Sequence, residues 1–135
     1  MPGDLPHRFP VRVYYEDTDF SGAVYHASYL RFLERGRTEW LRALGIEQSV
    51  LASAEAGGFG FVVRHMAIDF LKPARMDDFV TVETTARKIG GASLDLVQRL
   101  LRGEELLVAA EVKIGCVAAG RATRLPPLIR AKLTG

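Results

Sequence analysis

The stretch ASYLRFLERGRTEWLRALG, residues 27–45, carries an apolar pattern with the spacing of an α-helix. Apolar residues recur at intervals of three or four, and charged residues occupy most of the positions between them; the recurring residues are Leu30, Leu33, Trp40, Leu41 and Leu44. This period predicts one long amphipathic helix that buries a single face. Gly45 follows the last apolar position, and glycine is a common residue at the end of a helix.

Gly36 lies in the middle of this predicted helix. A glycine in a helix interior costs about 1 kcal/mol relative to alanine. Its presence indicates that another part of the chain approaches the helix closely at this point, although a simply tolerated glycine is the alternative.

Beyond a weakly periodic segment, residues 48–56, and the glycine-rich residues 57–60, the pattern changes to the alternation of β-strands. Four strands are predicted here, at residues 61–71, 79–87, 93–101 and 106–117, and an earlier edge strand at residues 9–15. Three of the strands present a mainly apolar face: Val80, Val82 and Thr84; Leu94, Leu96, Gln98 and Leu100; Val108, Ala110, Val112, Ile114 and Cys116.

Short connections join the last four predicted strands, so we expect consecutive strands to pair antiparallel. One long helix packed on an antiparallel sheet is an α+β architecture. A sheet of about five strands has open edges, which a second subunit would cover. The pattern therefore also predicts a homodimer, although charged residues along the edge would protect it equally well.

The composition limits the class of protein. Residues 1–135 are predicted to form one domain, and the formal net charge of +2 is spread along the chain, which argues against a nucleic-acid partner. The lone cysteine, Cys116, indicates a reducing compartment. No apolar run resembles a signal peptide or a membrane span, so we expect a cytoplasmic protein. His7, His26 and His65 are too dispersed along the chain to predict a metal site.

An acidic loop precedes the predicted helix and contains Glu16, Asp17 and Asp19. A solvated turn is the simple interpretation of such a loop, because Asp and Ser are common turn formers. The predicted helix start at His26–Ala27 favours a functional interpretation of the acidic loop, since residues 23–26 offer no strong capping side chain. Uncapped backbone N–H groups at a helix start suit an oxyanion or a polarised carbonyl. If the helix began instead at Ser28, that serine would cap it and the N–H groups would be occupied.

Residues 14–41, YYEDTDFSGAVYHASYLRFLERGRTEWL, resemble the signature of the 4-hydroxybenzoyl-CoA thioesterase family of hot-dog-fold proteins. Within that family they are most similar to the Tol-Pal-associated acyl-CoA thioesterase branch. The resemblance continues through residues 61–64, 68–75 and 120–126 and so covers nearly the whole chain. It implies a long helix wrapped by an antiparallel sheet of five or slightly more strands, and a homodimer or homotetramer.

The resemblance implies hydrolysis of an acyl-CoA thioester, with Asp19 as general base or nucleophile and the backbone N–H of His26 polarising the carbonyl. The His26 side chain is a second catalytic candidate, although it is equally suited to capping the helix. Tyr25 is expected to line the acyl pocket, or to be a plain core aromatic. Arg64, Arg87 and Lys88 are candidates for binding the CoA nucleotide, with a solvated surface charge as the alternative. No metal or organic cofactor is implied, since CoA is part of the substrate.

Two other functions remain open at the level of sequence. One is a non-catalytic module that binds acyl-CoA or an acyl-carrier protein within an envelope or phospholipid-synthesis complex. The other is a hot-dog dehydratase or hydratase, although such sites generally pair a histidine with a different acidic arrangement.

Overall fold

The computed structural model describes residues 5–53 and 57–135. Its elements, in chain order, are β1 (His7–Arg12), a 3₁₀ turn (Tyr15–Asp17), α1 (His26–Ala43), α2 (Gln48–Leu51), β2 (Phe59–Phe70), β3 (Phe79–Ile89), β4 (Ser93–Arg102), β5 (Glu105–Ala118), β6 (Arg121–Ala122) and α3 (Pro127–Thr134). None of the helices in the described part of the chain is long and apolar enough to cross a bilayer.

All strand pairs in the sheet are antiparallel, and the strand order is β1-β3-β4-β5-β2, with the short β6 beside β5. The sheet curls around α1. The predicted α+β architecture, one long helix wrapped by an antiparallel sheet, is therefore confirmed.

The inward faces predicted for β3, β4 and β5 are buried as expected. Val80, Val82 and Thr84 are fully buried, and the inward residues of β4 and β5 are at most 6% exposed. Alternation identifies these faces because successive side chains on a strand point to opposite sides of the sheet. The helix contributes its own apolar face, and the two surfaces form one core.

The expected pairing of β2 with β3 is wrong. β2 pairs with β5, at the opposite end of the sheet from β3. The N–H groups of Leu71 and Lys72 both donate to the carbonyl of Leu107, which keeps the end of β2 on β5. Residues 71–78 then cross the end of the sheet to reach β3, and we call this segment the crossover loop. The turn at residues 75–78 lies within the crossover loop and does not close a hairpin.

Helix α1 is close to its prediction but one part of its buried face differs. Tyr29 and Phe32 are buried, whereas Leu30 is 44% exposed. One residue corresponds to about 100° around an α-helix, so the neighbour of a central core position lies at the flank of the buried face. A leucine at the flank satisfies the spacing rule without reaching the core.

Three further elements differ from the prediction. β1 ends at Arg12, although Val13 still exchanges hydrogen bonds with Asp77 and Asp78 just before β3, and a 3₁₀ turn follows from Tyr15. The segment predicted at residues 48–56 contains the short α2, and residues 54–56 lie outside the described residues. Helix α3 was missed, although Pro127 at its first position is a recognised start signal.

A buried polar cluster connects the helix to the centre of the sheet. The side-chain amide nitrogen of Gln98 donates to the carbonyl of Leu33 at 2.9 Å and to the hydroxyl of Thr84 at 3.0 Å. Arg37 donates to the Gln98 side-chain oxygen at 3.0 Å. Buried polar groups cost free energy when they lack partners, so this satisfied cluster specifies how α1 sits on the sheet.

Gly36 is the point at which α1 touches the sheet most closely. A Cβ atom added there would lie closer than 3.0 Å to Val82 Cγ1 and 3.1 Å from Val82 Cβ. Val82 is fully buried and has a short, branched side chain that cannot swing away. The close approach predicted from the sequence is therefore confirmed.

We expect Gly36→Ala to lower the free energy of unfolding by about 1–2 kcal/mol. The added methyl group meets a side chain that cannot move, so its cost falls in the upper part of the range of about 1–3 kcal/mol for overpacking, and the gain in helix propensity of about 1 kcal/mol offsets only part of it. Chemical denaturation followed by circular dichroism measures the change. In the double variant Gly36→Ala/Val82→Ala the strain is relieved, so its loss should be smaller than the sum of the two single losses. A Gly36→Ala protein as stable as wild type would contradict this explanation.

Candidate active site

The acidic loop folds back on itself through a tight turn at residues 19–22. The N–H of Gly22 donates to the carbonyl of Asp19 at 3.1 Å, and the N–H of Asp19 donates to Ala23 at 3.0 Å. Gly22 has a φ of +86°, a conformation that residues with a Cβ rarely adopt. The turn returns the chain to the start of α1 and places Asp19 beside it.

The two other acids of the loop have simpler roles. Asp17 is buried, and its carboxylate accepts the N–H of Tyr14 at 2.8 Å, while its carbonyl accepts the N–H of Tyr25 at 2.9 Å. Asp17 thus holds the loop against the helix start. Glu16 is exposed, as its interpretation as a solvated acid requires.

Helix α1 begins at His26 with no side-chain cap from Tyr25. The N–H of Ser28 donates to the carbonyl of Tyr25 at 2.8 Å, so Ser28 lies inside the helix and does not cap it. Within the described parts of the chain, the N–H groups of His26 and Ala27 have no acceptor. The positive end of the helix is therefore open at this point.

A cleft of about 420 Å³ opens at this helix start. Three of the residues predicted for the site, Asp19, Tyr25 and His26, are brought together in its lining. The other lining residues come from the acidic loop, the first turn of α1, the end of β2 and the crossover loop: Ala23, Val24, Tyr29, Phe70, Leu71, Lys72 and Pro73. The wall is mainly apolar, and its polar features include the Asp19 carboxylate, the open helix end at His26 and the ammonium group of Lys72.

The Asp19 carboxylate is exposed at the surface of the cleft. Its Oδ1 atom accepts hydrogen bonds from both the hydroxyl and the N–H of Ser21, the latter at 2.8 Å. These bonds, with a smaller contribution from the charge of His26, lower the pKa of Asp19 below its ordinary value. The other oxygen, Oδ2, has no hydrogen-bond partner within the described residues, so the ionised group keeps an oxygen free to accept a proton.

The aromatic part of the cleft was only partly foreseen. The imidazole of His26 stacks on Phe70 with ring centroids 4.3 Å apart and an interplanar angle of 15°. Tyr29, one turn after His26, is buried, and its hydroxyl accepts the N–H of Ala74 at 2.9 Å. Sequence analysis missed both Tyr29 and Phe70. Helical spacing from His26 indicates Tyr29, but only the path of the crossover loop gives its hydroxyl a partner.

The basic residues predicted to bind the CoA nucleotide do not line this cleft. Arg64 packs its methylene groups against Gly115, and Arg87 forms an ion pair with Glu111 at 2.9 Å. Lys88 follows Arg87 near the far end of β3. The cation in the cleft lining is Lys72, which pairs with Glu105 at 3.0 Å.

A second cavity, of about 280 Å³, lies between α1 and the strands β2, β4 and β5, and Arg37 is among its lining residues. It contains none of the residues predicted for the site. Residues 5–53 and 57–135 contain no group of three or more His, Cys, Asp or Glu side chains that could hold a metal ion. The expectation of a site without metal or cofactor stays a prediction.

Known proteins share both the sequence and the fold of this chain. The family model described as the thioesterase-like superfamily matches residues 13–133. The acyl-CoA thioesterase YbgC of Haemophilus influenzae is 48% identical over 113 residues, which cover 84% of this chain and 82% of that protein. The acyl-CoA thioester hydrolase YbgC of Escherichia coli O6:H1 is 47% identical over 82% of this chain and 81% of its own length.

Among solved structures, a probable thioesterase from Bartonella henselae superposes with a TM-score of 0.86 at 47% identity. The superposition covers 90% of this chain and 99% of that one. The curled antiparallel sheet around a long helix is thus the hot-dog fold. From this shared fold and the family match over nearly its full length, the chain belongs to the thioesterase-like superfamily.

Proposed function

We propose that this protein hydrolyses acyl-CoA thioesters to a free acid and CoA, with Asp19 and the helix start at His26 as its catalytic groups. One observation carries the proposal: Asp19 and His26 line the same cleft, and the N–H of His26 at the helix start has no acceptor within the described residues. The similar YbgC proteins of H. influenzae and E. coli, named as an acyl-CoA thioesterase and an acyl-CoA thioester hydrolase, support the same reaction.

In the proposed reaction the thioester carbonyl oxygen accepts the N–H of His26 at the open helix end. Asp19 Oδ2 takes a proton from water, and the hydroxide oxygen forms a bond to the carbonyl carbon. The negative charge that develops on the carbonyl oxygen is stabilised by the helix N–H and the helix dipole. The C–S bond then breaks, and the departing thiolate of CoA recovers the proton from Asp19.

The alternative role of Asp19 is nucleophilic, through a mixed anhydride that water opens. We favour the general base, because direct hydrolysis completes the reaction through a single attack on the thioester. A single turnover in ¹⁸O-labelled water, with hydroxylamine trapping of the anhydride, distinguishes the two. A general base delivers the label to the product acid alone and leaves nothing to trap, whereas a nucleophile gives a trappable anhydride, and gives label on Asp19 where water attacks the Asp19 carbonyl.

The apolar wall suits the acyl group. We assign Tyr25 to the acyl pocket together with Tyr29 and Phe70, because all three line the cleft beside His26. The His26 side chain, held flat against Phe70, is proposed as a second group that hydrogen-bonds the substrate or its water.

For the phosphates of CoA we retain Arg64, Arg87 and Lys88 as the proposed contacts. Arg64 and Lys88 have no ion pair within the described residues, whereas Arg87 would have to leave Glu111. None of the three lies in the cleft of its own chain. Their use would therefore require the long CoA molecule to extend along the sheet or to reach a second protomer.

We also propose a homodimer or homotetramer that uses the free edge of β2. Among the described residues β2 is an end strand that pairs only with β5, and Val62, Val63 and Phe70 on it are between 41% and 45% exposed. An apolar open edge favours pairing with another strand. Sedimentation of the purified protein tests this proposal, and a monomer at micromolar concentration would refute it.

Two further proposals concern the branch of the family and the location of the protein in the cell. We propose membership of the Tol-Pal-associated acyl-CoA thioesterase branch, supported by the resemblance of residues 14–41. We propose a cytoplasmic location, supported by the lone, buried Cys116, whose pKa burial raises and which is thereby kept in the unreactive thiol form.

Release of free thiol from a panel of acyl-CoAs, from short aliphatic to aryl groups, tests the proposed function. Turnover of at least one member is the expected result. Tight binding without turnover over the whole panel would favour the non-catalytic acyl-CoA or acyl-carrier-protein binding module. Hydration of an enoyl-CoA in place of thiol release would favour the hydratase.

A further inference from the structure

The crossover loop forms one wall of the cleft and is held by residues outside it. Leu71, Lys72 and Pro73 contribute to the lining. The same loop is tied to the acidic loop, since the N–H of Val24 donates to the carbonyl of Ala74 at 2.9 Å. The position of this wall therefore sets the width of the cleft in front of Asp19.

Arg102, at the end of β4, contacts the crossover loop at two points. Its Nη1 atom lies 2.6 Å from the carboxylate of Asp78 and 3.4 Å from the carbonyl of Pro73. The same carboxylate oxygen of Asp78 accepts the N–H of Arg75 at 2.9 Å, which fixes the turn within the loop. The Arg102 guanidinium thus connects Asp78, the last residue of the crossover loop, with Pro73 in the cleft wall.

The same guanidinium reaches the loop a third time through Glu105. Its Nε and Nη2 atoms donate to Glu105 Oε1 at 3.1 and 2.7 Å. The second carboxylate oxygen of Glu105 binds Lys72, on the cleft wall, at 3.0 Å. Arg102 and Glu105 face each other across the β4–β5 hairpin, whose turn contains Gly103 with a φ of +63°.

From these contacts we infer that Arg102 is a positioning residue for the substrate cleft, acting through the crossover loop. Arg102 does not line the cleft. Isolated surface ion pairs contribute little, but one guanidinium that binds two carboxylates at once holds its partners in one geometry. Lysine carries the same charge at a single point and lacks the planar, spread donors that reach Asp78 and Glu105 together.

The inference rests on the proposed function and predicts a specific kinetic pattern. The wall touches bound substrate in the ground state and transition state alike, so loosening it weakens uniform binding. Asp19 and the His26 N–H are held by the turn at residues 19–22 and by Asp17, and the hydrogen bond that ties the two loops, from Val24 to Ala74, does not involve Arg102. We expect Arg102→Lys to raise KM for an acyl-CoA about tenfold while kcat changes by less than about twofold.

Arg42→Lys is the matched control, because Arg42 also lies 2.6 Å from a carboxylate, that of Glu39, at the other end of α1. It should leave KM unchanged. Asp78→Asn weakens the same connection from the loop side, because it removes the charge that pairs with Arg102, so it should also raise KM. Hydrogen exchange should accelerate in residues 71–78 of Arg102→Lys and not elsewhere.

An unchanged KM in both Arg102→Lys and Asp78→Asn would overturn the inference, and so would an equal rise in Arg42→Lys. Acceleration of exchange throughout the protein would assign Arg102 to general stability and also overturn it. If wild-type protein releases no thiol from any acyl-CoA, the proposed function fails. In that case hydrogen exchange, with dissociation constants for a non-hydrolysable acyl-CoA in place of KM, still decides the role of Arg102.

Discussion

Asp19→Asn should reduce kcat for acyl-CoA hydrolysis by about 10²- to 10⁴-fold, the range for loss of a general base. The amide cannot take a proton from water, but its oxygen can still accept the hydrogen bonds from Ser21. Because the side chain is exposed, the change should not alter folding. Thiol release under saturating substrate measures kcat, and thermal unfolding checks that the fold is retained.

Glu16→Gln is the matched control for this substitution, since Glu16 is an exposed carboxylate in the same loop that does not line the cleft. It should hydrolyse acyl-CoA at the wild-type rate. Equal rates for wild type and Asp19→Asn would remove Asp19 from the mechanism.

The lowered pKa of Asp19 fixes the direction of the pH dependence. The ionised base is present above this pKa and is lost as the pH falls through it. The acid limb of kcat/KM that Asp19 controls should therefore lie below about pH 4, the ordinary range of an aspartate.

His26→Pro should reduce kcat by about 10²- to 10³-fold relative to His26→Ala, the cost of losing one donor to a developing oxyanion. Proline at the first position of a helix removes only a backbone N–H that has no partner within the helix. Tyr25, with φ of −69° and ψ of 139°, already has the extended conformation that a following proline requires. Both variants lose the imidazole, so their ratio isolates the contribution of the N–H group.

Comparison of His26→Ala with wild type then measures the side chain by itself. A large loss in His26→Ala would give the imidazole a direct part in the reaction. If His26→Pro and His26→Ala have the same kcat while both remain folded, the helix-start N–H does not bind the carbonyl, and the proposed mechanism is wrong in that step.

The pattern of residues alone predicts the long helix and the inward faces of three strands. Alternation over β3, β4 and β5 predicts burial correctly because a strand has only two faces and the core takes one of them. It also indicated the open helix start at His26, since neither Tyr25 nor His26 is a strong cap. Gly36 also predicts a contact. Glycine within a helix is less stable than alanine, and the close approach of Val82 explains why glycine stands there.

Long-range contacts, by contrast, set which elements are neighbours in space. Hydrogen bonds from Leu71 and Lys72 to Leu107 keep β2 on β5, and this sends the crossover loop over the helix start. The cleft therefore contains Tyr29, Phe70 and Lys72 beside Asp19. Arg64 and Arg87 do not line it. Local periodicity reports which way a side chain faces, but strand order depends on contacts between residues distant in the chain, and the cleft is made of those contacts.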